Sequence, residues 1–426
     1  FAGLLMKWFS ARKLTLFALG AFLFGAIVSA AAPSFAVAFV GRAMQGIGTG
    51  LVLPITFAMV FEVFPLHKVG AAMGASALVV MFAPAIGPTL AGALVGAGSW
   101  RLVFASFAVI ALVGIVFTWK FEVNPFKLTK PAIDAPSVAL SVVGFGGVVF
   151  GAGMASSYGW TSPVVLGALV AGIACLALYA RRQLSMEVPI IDVRIFSHQG
   201  FRVGAVCMMV NFGITLSAMY VLPQFYQSGM LLAVALTGVV MLPGGIVNAL
   251  VSMVSGRIYD RIGARGPAIC GFGLSIVGAA ALLFVTPDSS LAYVVVCHVI
   301  MMLGVPLAMS PCQTHALSSL PRELSADGST ALNTMQQVLG AVCTAVATSL
   351  LTAGQASYIA AGGVDATLAF TQGSHWGFAF ALALAVIGFA CALRIKVKKR
   401  ANVGTGEVAA AHAAARAAAK ASAATA

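Results

Sequence analysis

Gly256-Arg257-Ile258-Tyr259-Asp260-Arg261-Ile262-Gly263-Ala264-Arg265 is a short charged stretch set between two long apolar runs. Its glycines permit a tight reversal, and the Asp260 carboxylate can accept hydrogen bonds from arginines or from a neighbouring helix N-terminus. The flanking runs, 231–254 and 268–285, are of bilayer-crossing length, for which a helix needs about 20 mostly apolar residues. A charged hairpin between two such runs reads as a connection at a membrane surface. A loop serving only to carry positive charge would not require this glycine spacing.

Composition extends that reading to the whole chain. Of 426 residues, 61% are hydrophobic and only 8% charged, and the mean hydropathy is +1.02. A soluble domain carries about 25% charge. A transmembrane β-barrel would show short alternating segments with polar lumen positions. Both classes are excluded, leaving a polytopic helical membrane protein. Twelve windows qualify as spans: 14–32, 35–60, 72–95, 102–119, 137–154, 164–179, 203–222, 231–254, 268–285, 291–309, 331–351 and 377–393. Residues 1–9 read as the end of a further helix whose beginning is absent.

Charge assigns the sides. With the 6–13 connection in the cytoplasm, 22 of the 24 basic residues fall on that side, Arg42 lies inside a span, and Arg101 stands opposite with Asp288 and Asp365. The net charge of +13 is therefore a topology signal, and no nucleic-acid partner is expected. All five tryptophans, Trp8, Trp100, Trp119, Trp160 and Trp376, land at span ends, where the indole prefers to sit. The seven cysteines lie in or beside apolar runs without a Cys-x-x-Cys pair and read as packed thiols. No cleavable signal peptide is visible.

The expected organisation is the remainder of an N-terminal helix bundle over 1–120, a cytoplasmic linker over 121–136 and an inserted helix pair over 137–180. A second linker over 181–202, a C-terminal bundle over 203–393 and a basic, Ala-rich cytoplasmic tail over 394–426 complete it.

The opening stretch resembles the signature loop of the major facilitator superfamily, Gly-x-x-x-Asp-Arg-x-Gly-x-Arg. A first copy is expected at Gly3-Leu4-Leu5-Met6-Lys7-Trp8-Phe9-Ser10-Ala11-Arg12-Lys13, with Lys7 in the aspartate slot and Ser10 in a glycine slot. Gly41-Arg42-Ala43-Met44-Gln45-Gly46-Ile47-Gly48 resembles the arginine-bearing fourth-helix motif of proton-coupled members. Ala83-Pro84-Ala85-Ile86-Gly87-Pro88-Thr89-Leu90-Ala91-Gly92 resembles the fifth-helix antiporter motif, with Ala91 in one glycine slot and Ser99-Trp100-Arg101 following. The inserted pair, Pro189-Ile190-Ile191-Asp192-Val193-Arg194-Ile195-Phe196, Leu222-Pro223-Gln224-Phe225-Tyr226-Gln227 and Leu242-Pro243-Gly244-Gly245 are similar to stretches of the fourteen-spanner drug:proton antiporters.

That resemblance implies an all-α membrane fold of two pseudo-symmetric bundles plus an inserted pair, with about two N-terminal spans missing from this chain. It implies a secondary transporter exporting small amphipathic compounds against proton entry, in the cell membrane. A proton symporter importing a metabolite is the second reading, and a non-transporting receptor or structural protein the third. The partners expected are a small lipophilic or amphipathic molecule, protons and the bilayer, with the chain a monomer. No cofactor is expected beyond the proton gradient.

Candidate residues follow in three groups. Arg42, Gln45, Asn211, Tyr220, Gln224 and Asn333 are candidates for proton coupling or cavity lining. An intramembrane arginine costs about 2.5–3.5 kcal/mol on insertion scales, so Arg42 is expected to face a cavity or a partner rather than snorkel. Gly87, Pro88 and Gly92 form the antiporter motif, where small residues admit close helix contact and proline removes a hydrogen bond. Gly256, Asp260, Arg261, Gly263 and Arg265 form a cytoplasmic gate loop. His298, beside Cys297 in a span, reads as a buried neutral histidine before a proton relay. No catalytic residue is assigned: His-Glu-x-x-His, Gly-x-Ser-x-Gly and a phosphate loop are absent from the sequence, as are metal ligands at useful spacing. With no mid-span Asp or Glu between 14 and 393, neutral, monocationic or anionic cargo is expected over dications.

Overall fold

Apolar runs that must satisfy their own backbone in lipid become helices. A computed structural model describes residues 5–6, 8–64, 83, 86–124, 134–186, 189–321 and 324–395. In chain order its helices are α1 (Ala11–Ala30), α2 (Phe35–Val63), α3 (Ile86–Gly96), α4 (Arg101–Phe121), α5 (Ala135–Tyr158) and α6 (Pro163–Ser185). They continue as α7 (Gln199–Gln224), α8 (Val234–Ile262), α9 (Arg265–Leu282), α10 (Leu291–Ser318), α11 (Ser325–Ala360) and α12 (Ala366–Leu393). Eleven are long and apolar enough to cross a membrane; α3 is the shorter one, and the expected span residues 72–82 lie outside the described part. The protein is all-α over the described residues.

Packing follows the small residues. α1 crosses α2 where a Cβ on Gly41 would overlap the Ser29 hydroxyl and stand 2.6 Å from the Gly25 carbonyl. α5 crosses α6 the same way: a Cβ on Gly147 would stand 3.0 Å from both the Ala168 carbonyl oxygen and the Gly172 Cα. Such contacts draw helices together where lipid supplies no hydrophobic drive. In the second half α7 is the central helix, packed by α10, α11 and α12. Phe201, Phe225, Tyr226, Phe272 and Phe378 fill that core. Beyond Pro223 the helix widens into a π turn over Phe225–Gly229, a form often found at functional sites.

The connections are more ordered than their polarity suggests. α6 runs to Ser185, and a 3-10 turn spans Val193–Ser197 within the second linker. Gln183 Oε1 accepts from the Ile190 N–H at 2.6 Å, and Asp327 of α11 accepts from the Asp192 N–H at 3.1 Å. Before α5, Asp134 takes a two-pronged bond from Arg182, Nε at 2.8 Å and Nη2 at 2.7 Å. These bonds hold the Asp134 carboxyl well below the usual carboxylate range.

The opening stretch of sequence is not a loop along most of its length. α8 continues through Arg257, Asp260 and Arg261 to Ile262, so Gly256 is helical, and a Cβ there would meet no other described element within 4 Å. Residues 257–262 contain neither glycine nor proline, and nothing stops the helix before Gly263. That residue, at φ +78°, makes the reversal into α9. Gly3, Leu4 and Lys7 of the first copy lie outside the described residues, as do residues 396–426 of the tail.

Candidate functional site

Arg42 sits two turns into α2, exposed, and donates through Nη1 to Gln45 Oε1 at 3.0 Å. Gln45 is buried and passes the tether on, Nε2 donating to Ser29 Oγ of α1 at 3.3 Å. The Gly41 crossing brings Ser29 within reach. The guanidinium also lies 5.7 Å from the centre of the Phe104 ring on α4, a favourable placement for a cation. Three helices thus orient a cation that forms no ion pair among the described residues. Arg101 is different: it donates to the Ala32 carbonyl at 2.8 Å and stacks on Trp100, tying down a connection.

The antiporter stretch meets the second half of the chain directly. A Cβ on Gly92 would stand 2.8 Å from the Val234 carbonyl oxygen of α8, and one on Gly238 would stand 2.6 Å from the Pro88 carbonyl oxygen of α3. Thr89 Oγ1 donates to the Gly238 carbonyl at 2.7 Å. Gly96 adds a contact with Ala235. Gly87 is not part of this contact; a Cβ there would meet no neighbour within 4 Å among the described residues.

Beside the contact lies a cavity of about 250 Å³, walled by Pro88, Ala91 and Gly92 from α3 and by Thr237, Gly238 and Met241 from α8. The third wall is Met219, Pro223 and Gln227, one face of α7 continued into the π turn. Tyr220 and Gln224 are one position round from that face and outside this cavity's lining, which Gln227 enters. The alternation 219, 223, 227 could have found it, had the helical period been carried through Pro223.

The remaining candidates separate. Asn211 faces the α7 core, fully buried, with neither amide atom hydrogen-bonded among the described residues. Asn333 is exposed on α11 and donates back to the Ser329 carbonyl at 3.0 Å. In the charged stretch, Asp260, Arg261 and Arg265 are exposed around the α8–α9 reversal, and Tyr259 Oη lies 3.3 Å from Ser318 Oγ of α10. At the end of α4, Glu122 accepts from Thr15 Oγ1 at 2.8 Å. Burial raises its pKa despite that bond and the nearby Arg12.

Comparison with known proteins decides the family. The sequence model described as "Major Facilitator Superfamily" matches residues 1–142 and 137–345. The chain belongs to the major facilitator superfamily. Among its superfamily relatives, the lincomycin resistance protein LmrB of Listeria monocytogenes is 39% identical over 335 residues, covering 79% of this chain and 71% of the relative. LmrB of Bacillus subtilis is also 39% identical, over 339 residues and the same shares. The multidrug resistance protein Stp of Mycobacterium tuberculosis is 27% identical over 354 residues, 83% of this chain and 66% of that one. In fold, the chain is similar to an inward-facing bacterial homologue of the human lysosomal transporter Spinster, with TM-score 0.65, 13% identity and coverage of 92% and 85%. A peptide transporter bound to sulfate gives TM-score 0.64 at 18% identity, covering 92% and 82%. As a superfamily member the chain is a multi-pass membrane transporter.

Proposed function

We propose that this superfamily member exports small amphipathic compounds in exchange for protons, as a branch of the fourteen-spanner drug:proton antiporters. The observation that carries the reading is the close contact of Gly92 with Val234 and Gly238. It joins the two halves of the chain through backbone and small side chains, so the halves can rock about it without moving large side chains. By the charge assignment this contact lies in the outer half of the membrane, which corresponds to a state closed to the outside. The drug-resistance names of the LmrB and Stp relatives supply the cargo class. The inserted pair α5–α6 supports the fourteen-spanner branch.

The parts take roles accordingly. Arg42, held by Gln45 and Phe104, biases the protonation of a carboxylate or contacts cargo in the space it faces. The cavity lined by Gln227 and Thr237 is mostly apolar and receives an amphipathic group, the Gln227 amide offering both a donor and an acceptor. Asp260, Arg261 and Arg265 latch the cytoplasmic end of α8. The tail is cytoplasmic, and the working unit is a monomer.

The test uses lincomycin, the compound in the LmrB name. Cells lacking their own exporters and expressing the full-length transporter should accumulate less lincomycin than cells expressing Gly92→Leu at matched membrane abundance. Equal accumulation for lincomycin and for a panel of neutral and monocationic amphiphiles would overturn the export reading.

A further inference from the structure

His298 of α10 is 3% exposed. A Cβ on Gly244 of α8 would overlap its Cε1 and stand 2.6 Å from Nδ1 and 2.9 Å from Nε2. The nitrogen-bearing edge of the imidazole is therefore pressed onto a bare Cα, immediately after the proline that interrupts α8 at Pro243. Nδ1 is fully buried and has no hydrogen-bond partner among the described residues. An unsatisfied buried polar atom costs folding free energy, which an aliphatic side chain of similar volume would avoid. A packing role alone does not account for a histidine here.

The surroundings decide what a proton on this ring would do. Four helices pack against α10: α7, α8, α9 and α11. On α8 the charged side chains, Arg257, Asp260 and Arg261, begin 13 residues beyond Gly244, about 20 Å along the helix. α9 offers Arg265 at its first residue and an exposed Cys270; α7 offers Arg202 near its start, then Cys207 and Tyr220. α11 offers Asp327 at one end, Cys343 within and Tyr358 towards the other end. Tyr226 in the π turn keeps a buried hydroxyl without a partner. On α10 itself stand Tyr293, Cys297, Cys312 and His315. Among the described residues no carboxylate lies at this depth to meet an imidazolium. A protonated His298 must gain water or an acceptor, which requires α8 and α10 to separate at Gly244.

We propose that His298 is a proton-binding site of this transporter, neutral while packed on Gly244 and protonated when α8 moves away. Gly238, which closes the contact with α3, precedes Gly244 by six residues on the same helix, about 9 Å. Movement of α8 at Gly244 thus reaches the contact between the two halves, and the proton on His298 becomes linked to the side on which the transporter is open. The inference rests on the antiport reading above and names a proton site for it.

The direct test is nuclear magnetic resonance of the full-length wild-type transporter in nanodiscs with 15N-labelled histidine rings, His298 assigned by its loss in His298→Gln. The His298 resonance should pass from a neutral to a protonated ring between about pH 8 and 5. Saturating lincomycin should change its proton affinity by about fivefold or more, the lower end of coupling between linked sites. A ring that stays neutral over that range, with and without lincomycin, overturns the proposal. Proteoliposomes separate it from the antiport reading. If wild type moves no protons with lincomycin, the antiport reading fails. If wild type moves them and His298→Gln keeps the same pH profile, only the His298 assignment fails.

Discussion

Gly92 and Gly238 meet with no side chain between their helices: each lacks the Cβ that would strike the other helix's backbone, at 2.8 Å from Val234 and 2.6 Å from Pro88. Leucine at either position has to push α3 from α8. Gly92→Leu and Gly238→Leu should lower lincomycin export by about tenfold or more at unchanged membrane abundance, whereas Gly87→Leu, with no described neighbour within 4 Å of a Cβ there, should keep most activity. Equal loss in all three would show that the contact does not set the rate.

Arg42 is oriented by Gln45 rather than by an acid among the described residues. Arg42→Ala should abolish coupled transport, and Gln45→Leu should reduce it by roughly 10- to 150-fold, the loss of a hydrogen bond to a charged group at about 1.5–3 kcal/mol. Because the two residues share one tether, Arg42→Lys combined with Gln45→Leu should be no worse than the more damaging of those two changes alone. Additive losses, read as transport rates in vesicles, would place the two residues in separate roles.

Gln227 reaches the cavity between α3, α7 and α8, and Gln224 does not. Gln227→Leu should raise the KM for polar amphiphiles by about tenfold while leaving purely apolar cargo little changed, the effect of removing a site's only free amide. Gln224→Leu should change neither. The reverse ranking would move the cargo site elsewhere.

Glu122 has a raised pKa, chiefly from burial. A carboxyl raised in the folded state costs stability once pH climbs above its unfolded value, with the full cost present above the folded value. Glu122→Gln keeps an acceptor for Thr15 without the charge. It should therefore melt higher than wild type at neutral pH, and the difference should shrink as pH falls through the carboxylate range. A difference constant from pH 4 to 8, by thermal unfolding in detergent, would show that Glu122 is not destabilised as an anion.

Much of the architecture was legible because the bilayer leaves few options. Runs such as 203–222 and 377–393 fall inside α7 and α12, since apolar length alone demands a helix there. The charged stretch at 256–265 was located correctly but its shape was not: helix propensity carried α8 through Asp260 to Ile262, and only the positive φ at Gly263 ended it. The order within the second linker is not legible in sequence, because bonds such as that from the Asp192 N–H to Asp327 join residues 135 apart, beyond any local pattern. Within the site, Gly92 was legible from its motif, but its partner Gly238 was not, since nothing in sequence pairs α3 with α8. Tyr220 and Gln224 are polar and near a helix end, but each stands one residue, about 100° of helix rotation, from the face of Met219, Pro223 and Gln227 that lines the cavity.

The central claim is exchange of protons for an amphipathic cargo, and the most direct measurement records both in one vesicle. Full-length transporter would be reconstituted with a pH dye inside, and lincomycin flux followed under imposed gradients of either sign, with the membrane potential clamped. The account predicts that cargo moves against its gradient opposite to the proton flux, that reversing the pH gradient reverses the cargo flux, and that Gly92→Leu abolishes both. Cargo and protons moving in the same direction, or cargo accumulation indifferent to the pH gradient, would contradict it.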